Sequence, residues 1–286
     1  MAERAAEILT RFVDAVDAAG IAAHGVHVRA AGEVAEHRWT RDVREDVQSV
    51  AKGVCALAAA IAVDEGLIEL DAPVSRYLPD LTPPDSPLTL LHLLTLTSGV
   101  DYPWSPTMFE DSPDVAAEFL SRPAPERAFQ YSNASTYTAM RALATVTGDL
   151  VDWLTPRLFA PLGIDDVEWE RCPLGHVLAG GGLRLRTEEL ARIALLIRDR
   201  GLWDGHRLVS AAGVDTLHTG WVASGTTPGY ERYALAGWDG PGDGWRLHGA
   251  FGQVVVFSGD VVLTVTADDF EGGFQLPDLA FAAIAS

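Results

Sequence analysis

Short segments with the composition of β-strands lie near both ends of the chain, between turn-forming residues. Residues 25–30 and 33–39 flank an Ala-Gly pair, a pattern that predicts a hairpin. Residues 253–257 and 261–267 are rich in valine and flank a Ser-Gly-Asp turn, which predicts a second hairpin. The sequence therefore predicts antiparallel strands contributed by the two ends of the chain.

Other segments have helical character, and they lie at residues 1–20, 50–64, 187–200 and 276–285. Residues 71–175 combine helix-like and loop-like stretches with frequent prolines. We therefore expect an α+β fold, in which an antiparallel sheet built from both termini is flanked by helices and carries a helical insertion. Residues 1–70 and 176–286 would form a discontinuous sheet domain and residues 71–175 a helical region, with the active site between them.

Charge and composition exclude several classes of function. The net charge of −19 argues against a nucleic-acid partner, because phosphate binding needs a basic surface. No apolar run reaches the roughly 20 residues of a membrane span, so no membrane association is expected. The N-terminal segment lacks the layout of a secretory signal, which favours a cytoplasmic location. Cys55 and Cys172 form no metal-binding pattern, and neither a metal nor another cofactor is expected.

Lysine occurs once in the sequence, at position 52, whereas 20 of the 21 basic residues are arginine. The abundance of Ala, Gly and Pro indicates a compositional bias that replaced lysine by arginine elsewhere. Arginine keeps its proton in proteins, whereas a buried lysine can release it. Lys52 is therefore a candidate for chemistry that needs a neutral amine, with accident as the alternative.

Ser49 precedes Lys52 by three positions at the start of a predicted helix. Residues three apart share a helix face, so the hydroxyl and the amine can meet. A serine near a helix N-terminus also lies where the helix dipole favours negative charge. Acyl transfer needs a hydroxyl activated by a nearby base, and a desolvated lysine can be that base.

Two further segments carry candidate chemistry. In Tyr131-Ser132-Asn133, the tyrosine hydroxyl could pass a proton to a leaving group and Asn133 could orient Lys52, although Asn133 could instead cap the following helix. Residues 247–252 read Leu-His-Gly-Ala-Phe-Gly before a valine-rich strand. Glycine in a strand often marks the close approach of a ligand, and a backbone N–H group there could bind an oxyanion.

Taken together, these elements resemble, in order and separation, the Ser-x-x-Lys, Tyr-x-Asn and Lys-Thr-Gly motifs of the β-lactamase and penicillin-binding-protein superfamily. The similarity is closest to its esterase and amidase branch: class C β-lactamase-like esterases, D-aminopeptidases and 6-aminohexanoate-dimer hydrolases. It extends over nearly the whole chain, through residues 88–99, Pro161-Leu162-Gly163 and residues 180–192.

The resemblance implies a serine hydrolase that cleaves a small ester or amide through an acyl-serine intermediate. Ser49 would be the nucleophile, and Lys52, helped by Tyr131, would take its proton. Tyr131 would then protonate the leaving group, and Asn133 would orient Lys52 and the substrate carbonyl. The oxyanion would lie between the N–H groups of Ser49 and about Ala250, and no cofactor is implied.

The sequence departs from the family at the Lys-Thr-Gly position, where no lysine is available. Either His248-Gly249-Ala250 replaces that motif directly, or Leu247 occupies the lysine position and Ala250 supplies the oxyanion N–H group. We favour Ala250 as that donor, with His248 lining the site in both registers. Without the cation a penicillin carboxylate is left unpaired, which disfavours a true β-lactamase.

Other functions remain open at this point. The same acyl-enzyme would support an acyltransferase, and a non-catalytic binding domain could retain the fold. Several aromatic residues could line an apolar pocket or belong to the core or a lid: Trp104, Phe109, Trp221, Tyr230 and Trp238. The acyl and leaving groups and the oligomeric state are not specified by the sequence.

Overall fold

The computed structural model describes residues 4–83, 86–102, 105, 107–124 and 126–285, so Trp104 lies outside the described residues. The helices are α1 (Arg4–Ala19), α2 (Ala51–Asp64), α3 (Leu90–Leu94), α4 (Met108–Asp111), α5 (Val115–Ser121), α6 (Asn133–Thr147), α7 (Leu150–Leu154), α8 (Thr187–Arg198), α9 (Ala211–Asp215) and α10 (Leu276–Ala285). The strands are β1 (Ala23–Ala30), β2 (Glu33–Arg38), β3 (Glu45–Asp46), β4 (Glu168–Trp169), β5 (Leu183–Leu185), β6 (Leu202–Trp203), β7 (His206–Arg207), β8 (Val222–Ala223), β9 (Arg232–Tyr233), β10 (Trp238–Asp239), β11 (Trp245–Gly249), β12 (Gln253–Ser258) and β13 (Val261–Ala267).

The main sheet joins strands from the two ends of the chain. Its eight strands run in the order β2-β1-β13-β12-β11-β10-β9-β8, and every neighbouring pair is antiparallel. Both predicted hairpins are present, as β1–β2 and β12–β13. The predicted α+β plan, with an antiparallel sheet built from both termini and flanked by helices, is confirmed.

The sheet separates two hydrophobic cores because successive side chains on a strand point to opposite faces. On one face, Val254 and Val256 pack with α1 and α10, whose buried side chains include Phe12 and Leu276. On the other face, Val255 belongs to the larger core, which contains α2 and the helices of the 71–175 region. Within the described residues, no helix is long and apolar enough to cross a bilayer.

Helices α3 to α7 lie within residues 71–175, as the predicted helical region requires, but the division into two domains stays a prediction. A small sheet of order β3-β5-β4 links this region to the rest of the chain. The loop between β4 and β5 contains the glycine run at 180–182. This small sheet brings that loop close to the start of α2.

Helix α2 is buried on nearly all sides and begins one residue later than predicted. A 3₁₀ turn, Gln48–Val50, precedes it, so Ser49 lies in this turn rather than in the first α-helical turn. The carboxyl end of β11 rests on the turn. A Cβ atom on Gly249 would lie 2.8 Å from the Val47 carbonyl oxygen and 3.0 Å from the Ser49 nitrogen, so only glycine allows this contact.

Candidate active site

The side chains of Ser49 and Lys52 meet as the spacing predicted. The Lys52 Nζ atom donates to Ser49 Oγ at 3.0 Å. Lys52, the single lysine of the chain, is only 3% exposed. Nucleophilic catalysis by serine requires a proton acceptor beside the hydroxyl, and a buried amine in direct contact with it can be that acceptor.

Asn133 belongs to the same cluster. Its Oδ1 atom accepts a hydrogen bond from Lys52 Nζ at 2.6 Å. The alternative interpretation of Asn133 as a helix cap is wrong, because Ser132 is the N-cap residue of α6 and Asn133 is the first residue of the helix. Starting α6 at this position turns the Asn133 amide toward α2.

The third acceptor of the Lys52 amine is the backbone carbonyl oxygen of Gly180, at 3.1 Å. A Cβ atom at position 180 would lie 2.7 Å from Asn133 Oδ1, so the glycine permits the amide and the loop to approach one another. This group could not be predicted from side-chain motifs, because a backbone carbonyl has no side-chain signature. The glycine run at 180–182 was the available signal.

Asp46 braces the two backbone segments that carry Ser49 and Gly180. Its Oδ1 atom accepts from the backbone N–H groups of Gln48 at 2.8 Å and Gly182 at 2.9 Å, and its Oδ2 atom accepts from Gln48 Nε2 at 3.0 Å. Burial raises the pKa of Asp46, while the backbone hydrogen bonds oppose that shift. Gln48 has a φ of 50°, a left-handed conformation that Asp46 helps to hold. This role of Asp46 was not predicted from the sequence.

The end of β11 supplies the opposite wall of the site. His248, Gly249 and Ala250 all line the pocket that contains Ser49, whereas Leu247 is buried in the core that includes α2. Phe251, which follows Ala250, has a φ of 60°. The strand therefore ends in a sharp turn directly beside Ser49.

Tyr131 faces the same cluster from the loop before α6. Lys52 Nζ lies 4.9 Å from the centroid of the Tyr131 ring, and this ring stacks on Trp238 at 5.9 Å. Tyr131 is 40% exposed, so its ring lies at the mouth of the pocket. Ser49, Lys52, Asn133 and Tyr131 are thus brought together from separate parts of the chain.

His248 is paired with Tyr230, whose hydroxyl lies 2.5 Å from His248 Nδ1. Burial, with a smaller contribution from the Arg246 guanidinium, lowers the pKa of His248 to about 3. Burial raises the pKa of Tyr230, which keeps the phenol protonated. One hydrogen bond therefore joins a protonated phenol to a neutral imidazole, and its direction follows the tautomer of His248.

The pocket has a volume of about 480 Å³ and is largely aromatic. Of the predicted pocket aromatics, Tyr230 and Trp238 line it. Phe109 instead packs against Tyr137 at 4.9 Å, and Trp221 packs against the larger core. The remaining lining residues are Ser49, Tyr131, Ser224, Thr227, His248, Gly249, Ala250 and Phe274.

Residues 6–282 match the model of the Beta-lactamase family, and the chain therefore belongs to that family. The resemblance predicted from the three motifs is confirmed. The D-amino acid amidase of Ochrobactrum anthropi, crystallised with L-phenylalanine amide, has the same fold: its TM-score is 0.74 at 21% identity, over 98% of this chain and 97% of the amidase.

Curated relatives match at higher identity over shorter segments. A 6-aminohexanoate-dimer hydrolase of Paenarthrobacter ureafaciens is 29% identical over 63% of this chain and 52% of its own length. The esterase EstB of Burkholderia gladioli is 42% identical over 32% of this chain and 26% of its own length. The alignments thus span about half and about a quarter of these relatives.

Proposed function

We propose that this protein is a serine hydrolase that cleaves small esters or amides through an acyl-Ser49 intermediate. The observation that carries the proposal is the contact between the buried Lys52 amine and the Ser49 hydroxyl. The names of an esterase and a 6-aminohexanoate-dimer hydrolase among the curated relatives, and of an amidase with the same fold, support this proposal.

In the first step, Ser49 Oγ attacks the substrate carbonyl carbon and its proton passes to Lys52 Nζ. The groups around this amine are a hydroxyl, an amide oxygen and a backbone carbonyl, all uncharged. The negative oxygen of the tetrahedral intermediate is bound by the backbone N–H groups of Ser49 and Ala250, which the Gly249 contact brings side by side.

Collapse of the intermediate breaks the bond to the leaving group. The leaving alcohol or amine takes a proton from Tyr131, which Lys52 re-protonates, and the acyl group stays on Ser49. Water then attacks the acyl carbon and gives a proton to Lys52, directly or through Tyr131. The bond between the acyl carbon and Ser49 Oγ breaks, the carboxylic acid leaves, and the proton returns from Lys52 to Ser49 Oγ. Two ordinary acid–base residues and an oxyanion site therefore complete the cycle without a cofactor.

Acylation of Ser49 is the test of this proposal. We expect intact mass spectrometry to show one phosphonylated site after treatment with a p-nitrophenyl alkylphosphonate, and p-nitrophenyl acetate to be hydrolysed. Ser49→Ala abolishes both, whereas Ser224→Ala, which removes another hydroxyl of the same pocket, retains the modification. Ester hydrolysis that persists in the Ser49→Ala variant would contradict the assignment.

Acyl transfer to an alcohol is the second candidate, because one curated relative, 36% identical over 80 residues, is the acyltransferase calJ of Penicillium decumbens. The aromatic lining of the pocket would also retain an apolar acceptor. Product analysis with p-nitrophenyl acetate and added 1-butanol distinguishes the two functions, since butyl acetate forms only if the alcohol competes with water.

A further inference from the structure

A continuous row of rings leads from the pocket to the protein surface. Successive centroids are 4.9 to 5.9 Å apart along Tyr131, Trp238, Tyr230, His248, Phe274, Phe270 and Phe251. The first five of these rings line the pocket that contains Ser49, and the last two lie outside it. We call Phe251, Phe270 and Phe274 the exposed arm of this row.

The exposed arm presents an unusual amount of apolar surface to solvent. Phe251, Phe270 and Phe274 are 37%, 57% and 53% exposed, and no other phenylalanine among the described residues is as open. Single exposed apolar residues are common on protein surfaces, but a contiguous apolar patch indicates a binding surface.

The backbone beneath the arm is braced. Phe251 lies in the turn after β11, whereas Phe270 and Phe274 lie between β13 and α10. These turns are joined by a hydrogen bond from the Asp269 N–H group to the Phe251 carbonyl oxygen, at 3.1 Å. The Asp269 carboxylate also accepts from the Gly272 N–H group at 2.7 Å. Three exposed rings on a fixed backbone form a preorganised surface.

We propose that the exposed arm binds an extended apolar substituent, alkyl or aryl, of the ester cleaved at Ser49. Phe274 carries the argument, because it lines the pocket and also contacts Phe270 outside it. A substituent that is too long for the pocket would extend out of it past Phe274, and the next ring that it contacts would be Phe270. The inference rests on the proposed hydrolase function and adds the substrate class, long-chain or aryl esters.

The extended substituent can belong to the acyl part or to the alcohol part of the ester, and paired substrates separate the two. The acyl series compares p-nitrophenyl octanoate with p-nitrophenyl acetate. The alcohol series compares octyl acetate with ethyl acetate. In each series the measured quantity is the ratio of kcat/KM for the long ester to that for the short ester.

We expect Phe270→Ala to lower this ratio about tenfold in one of the two series, because apolar contact with the distal carbons is lost. Phe270→Leu should restore most of the ratio, since leucine retains an apolar side chain. Leu202→Ala, which removes an exposed apolar side chain of β6 that is not among the pocket residues, should leave both ratios unchanged. Ratios within twofold of wild type for Phe270→Ala in both series would overturn the proposal.

A binding measurement separates failure of the arm from failure of the hydrolase function. Ligand-observed NMR gives the Kd of 2-decanone, a ketone that cannot be hydrolysed, in a Ser49→Ala background. Adding Phe270→Ala should weaken this Kd about tenfold, for the same loss of apolar contact. An unchanged Kd would contradict binding at the exposed arm, whatever the kinetics show. A weakened Kd in a protein whose wild type hydrolyses no ester would contradict only the hydrolase function.

Discussion

The amine of Lys52 has three acceptors around it, and none of them is a carboxylate. Ser49, Asn133 and Gly180 lie 3.0, 2.6 and 3.1 Å from Nζ. An ammonium group has three protons to donate, so it fits this site, and a neutral amine can direct its lone pair at the serine hydroxyl. The same side chain can therefore hold the Ser49 proton and return it.

Replacing Lys52 by arginine tests this role, because guanidinium keeps the charge but cannot accept a proton. We expect kcat/KM for p-nitrophenyl acetate to fall about 10³-fold, within the range of lost acid–base catalysis. Lys52→Met, which fits the buried site, serves as the second variant, and thermal melting confirms that each is folded. A folded arginine variant with more than a tenth of wild-type activity would contradict the role.

The neutral state of His248 affects the free energy of unfolding. Its pKa is about 3 in the folded protein, against 6.5 for the ordinary side chain, so below pH 6.5 the unfolded chain binds a proton that the folded chain does not. Stability therefore declines as the pH falls from about 6.5 toward 3. Between pH 7 and pH 5 this one residue accounts for about 2 kcal/mol.

Urea unfolding of wild type and His248→Gln at pH 7 and pH 5 measures this contribution. We expect the variant to lose less stability than wild type on acidification, because glutamine does not titrate. His206→Gln, at a solvent-exposed histidine in β7, is the control and should behave like wild type. Equal losses for His248→Gln and wild type would show that His248 does not titrate as described.

The part of the candidate site that could be predicted from the sequence is the contact between side chains that are close together in the chain. Helix periodicity predicted that Ser49 and Lys52 meet. It could not assign Asn133 to Lys52 rather than to a cap, because either role suits an asparagine before a helix. The Gly180 carbonyl and the Tyr230–His248 pair depend on which distant segments come together, and local patterns do not encode that.

At the scale of elements, the 3₁₀ turn that carries Ser49 is held in place from outside. Gln48 adopts a left-handed φ of 50°, and Asp46 accepts hydrogen bonds from both its backbone and its side chain. Because Asp46 also accepts from the Gly182 N–H group, one carboxylate fixes the distance between the Ser49 turn and the Gly180 loop.

Asp46→Ala and Asp46→Asn form a matched pair that tests this brace. Alanine leaves the Gln48 and Gly182 N–H groups unpaired, at about 1–3 kcal/mol of unfolding free energy for each buried group. Asparagine keeps an oxygen where Oδ1 accepts both bonds, and rotation of the Gln48 amide lets its Oε1 atom accept from the Nδ2 atom that replaces Oδ2. We therefore expect Asp46→Ala to melt at a lower temperature with a lower kcat, and Asp46→Asn to stay close to wild type. If both substitutions lower the melting temperature and kcat equally, the negative charge of Asp46 and not its hydrogen-bond geometry holds the two segments together.

The long elements could be predicted from the sequence, whereas the shortest strands could not. Hairpins β1–β2 and β12–β13 have enough residues for composition and turn signals to identify them. Strands β8, β9 and β10 are two residues each, too short for any periodicity. They exist because β11 offers a free edge for pairing, a tertiary influence that overrides local preference.

At the scale of the whole molecule, the electrostatics disfavour the binding of an anion in the pocket. None of the described residues that line the pocket is lysine or arginine, and the chain carries a net charge of −19. Arg246 lies behind Tyr230, 4.7 Å from the ring centroid, and its guanidinium donates to the carbonyl oxygens of Asp239 and Gly229. A carboxylate in the pocket would therefore lack a partner and meet long-range repulsion.

We accordingly expect p-nitrophenyl acetate, a neutral ester, to be hydrolysed with a kcat/KM at least about 100-fold above that of the anionic β-lactam nitrocefin. Raising the salt concentration should reduce this difference in kcat/KM, because screening weakens the repulsion of the anionic nitrocefin and does not affect the neutral ester. Parallel assays at low and high salt check both statements. Nitrocefin turnover equal to that of the ester at low salt would contradict this account.

The pairing of β1 with β13 also determines when the protein can fold. His27 lies opposite Thr264, so the first hairpin must wait for nearly the entire chain before it gains its neighbour in the sheet. At ribosomal rates of about 5–20 residues per second, that interval is on the order of ten seconds or more. Throughout it, one edge of β1 and the apolar face of α1 have no partner from the C-terminal strands. Until β13 is made, this edge of β1 can pair with other strands, and a chain truncated before β13 lacks the strand that joins β1 to the rest of the sheet.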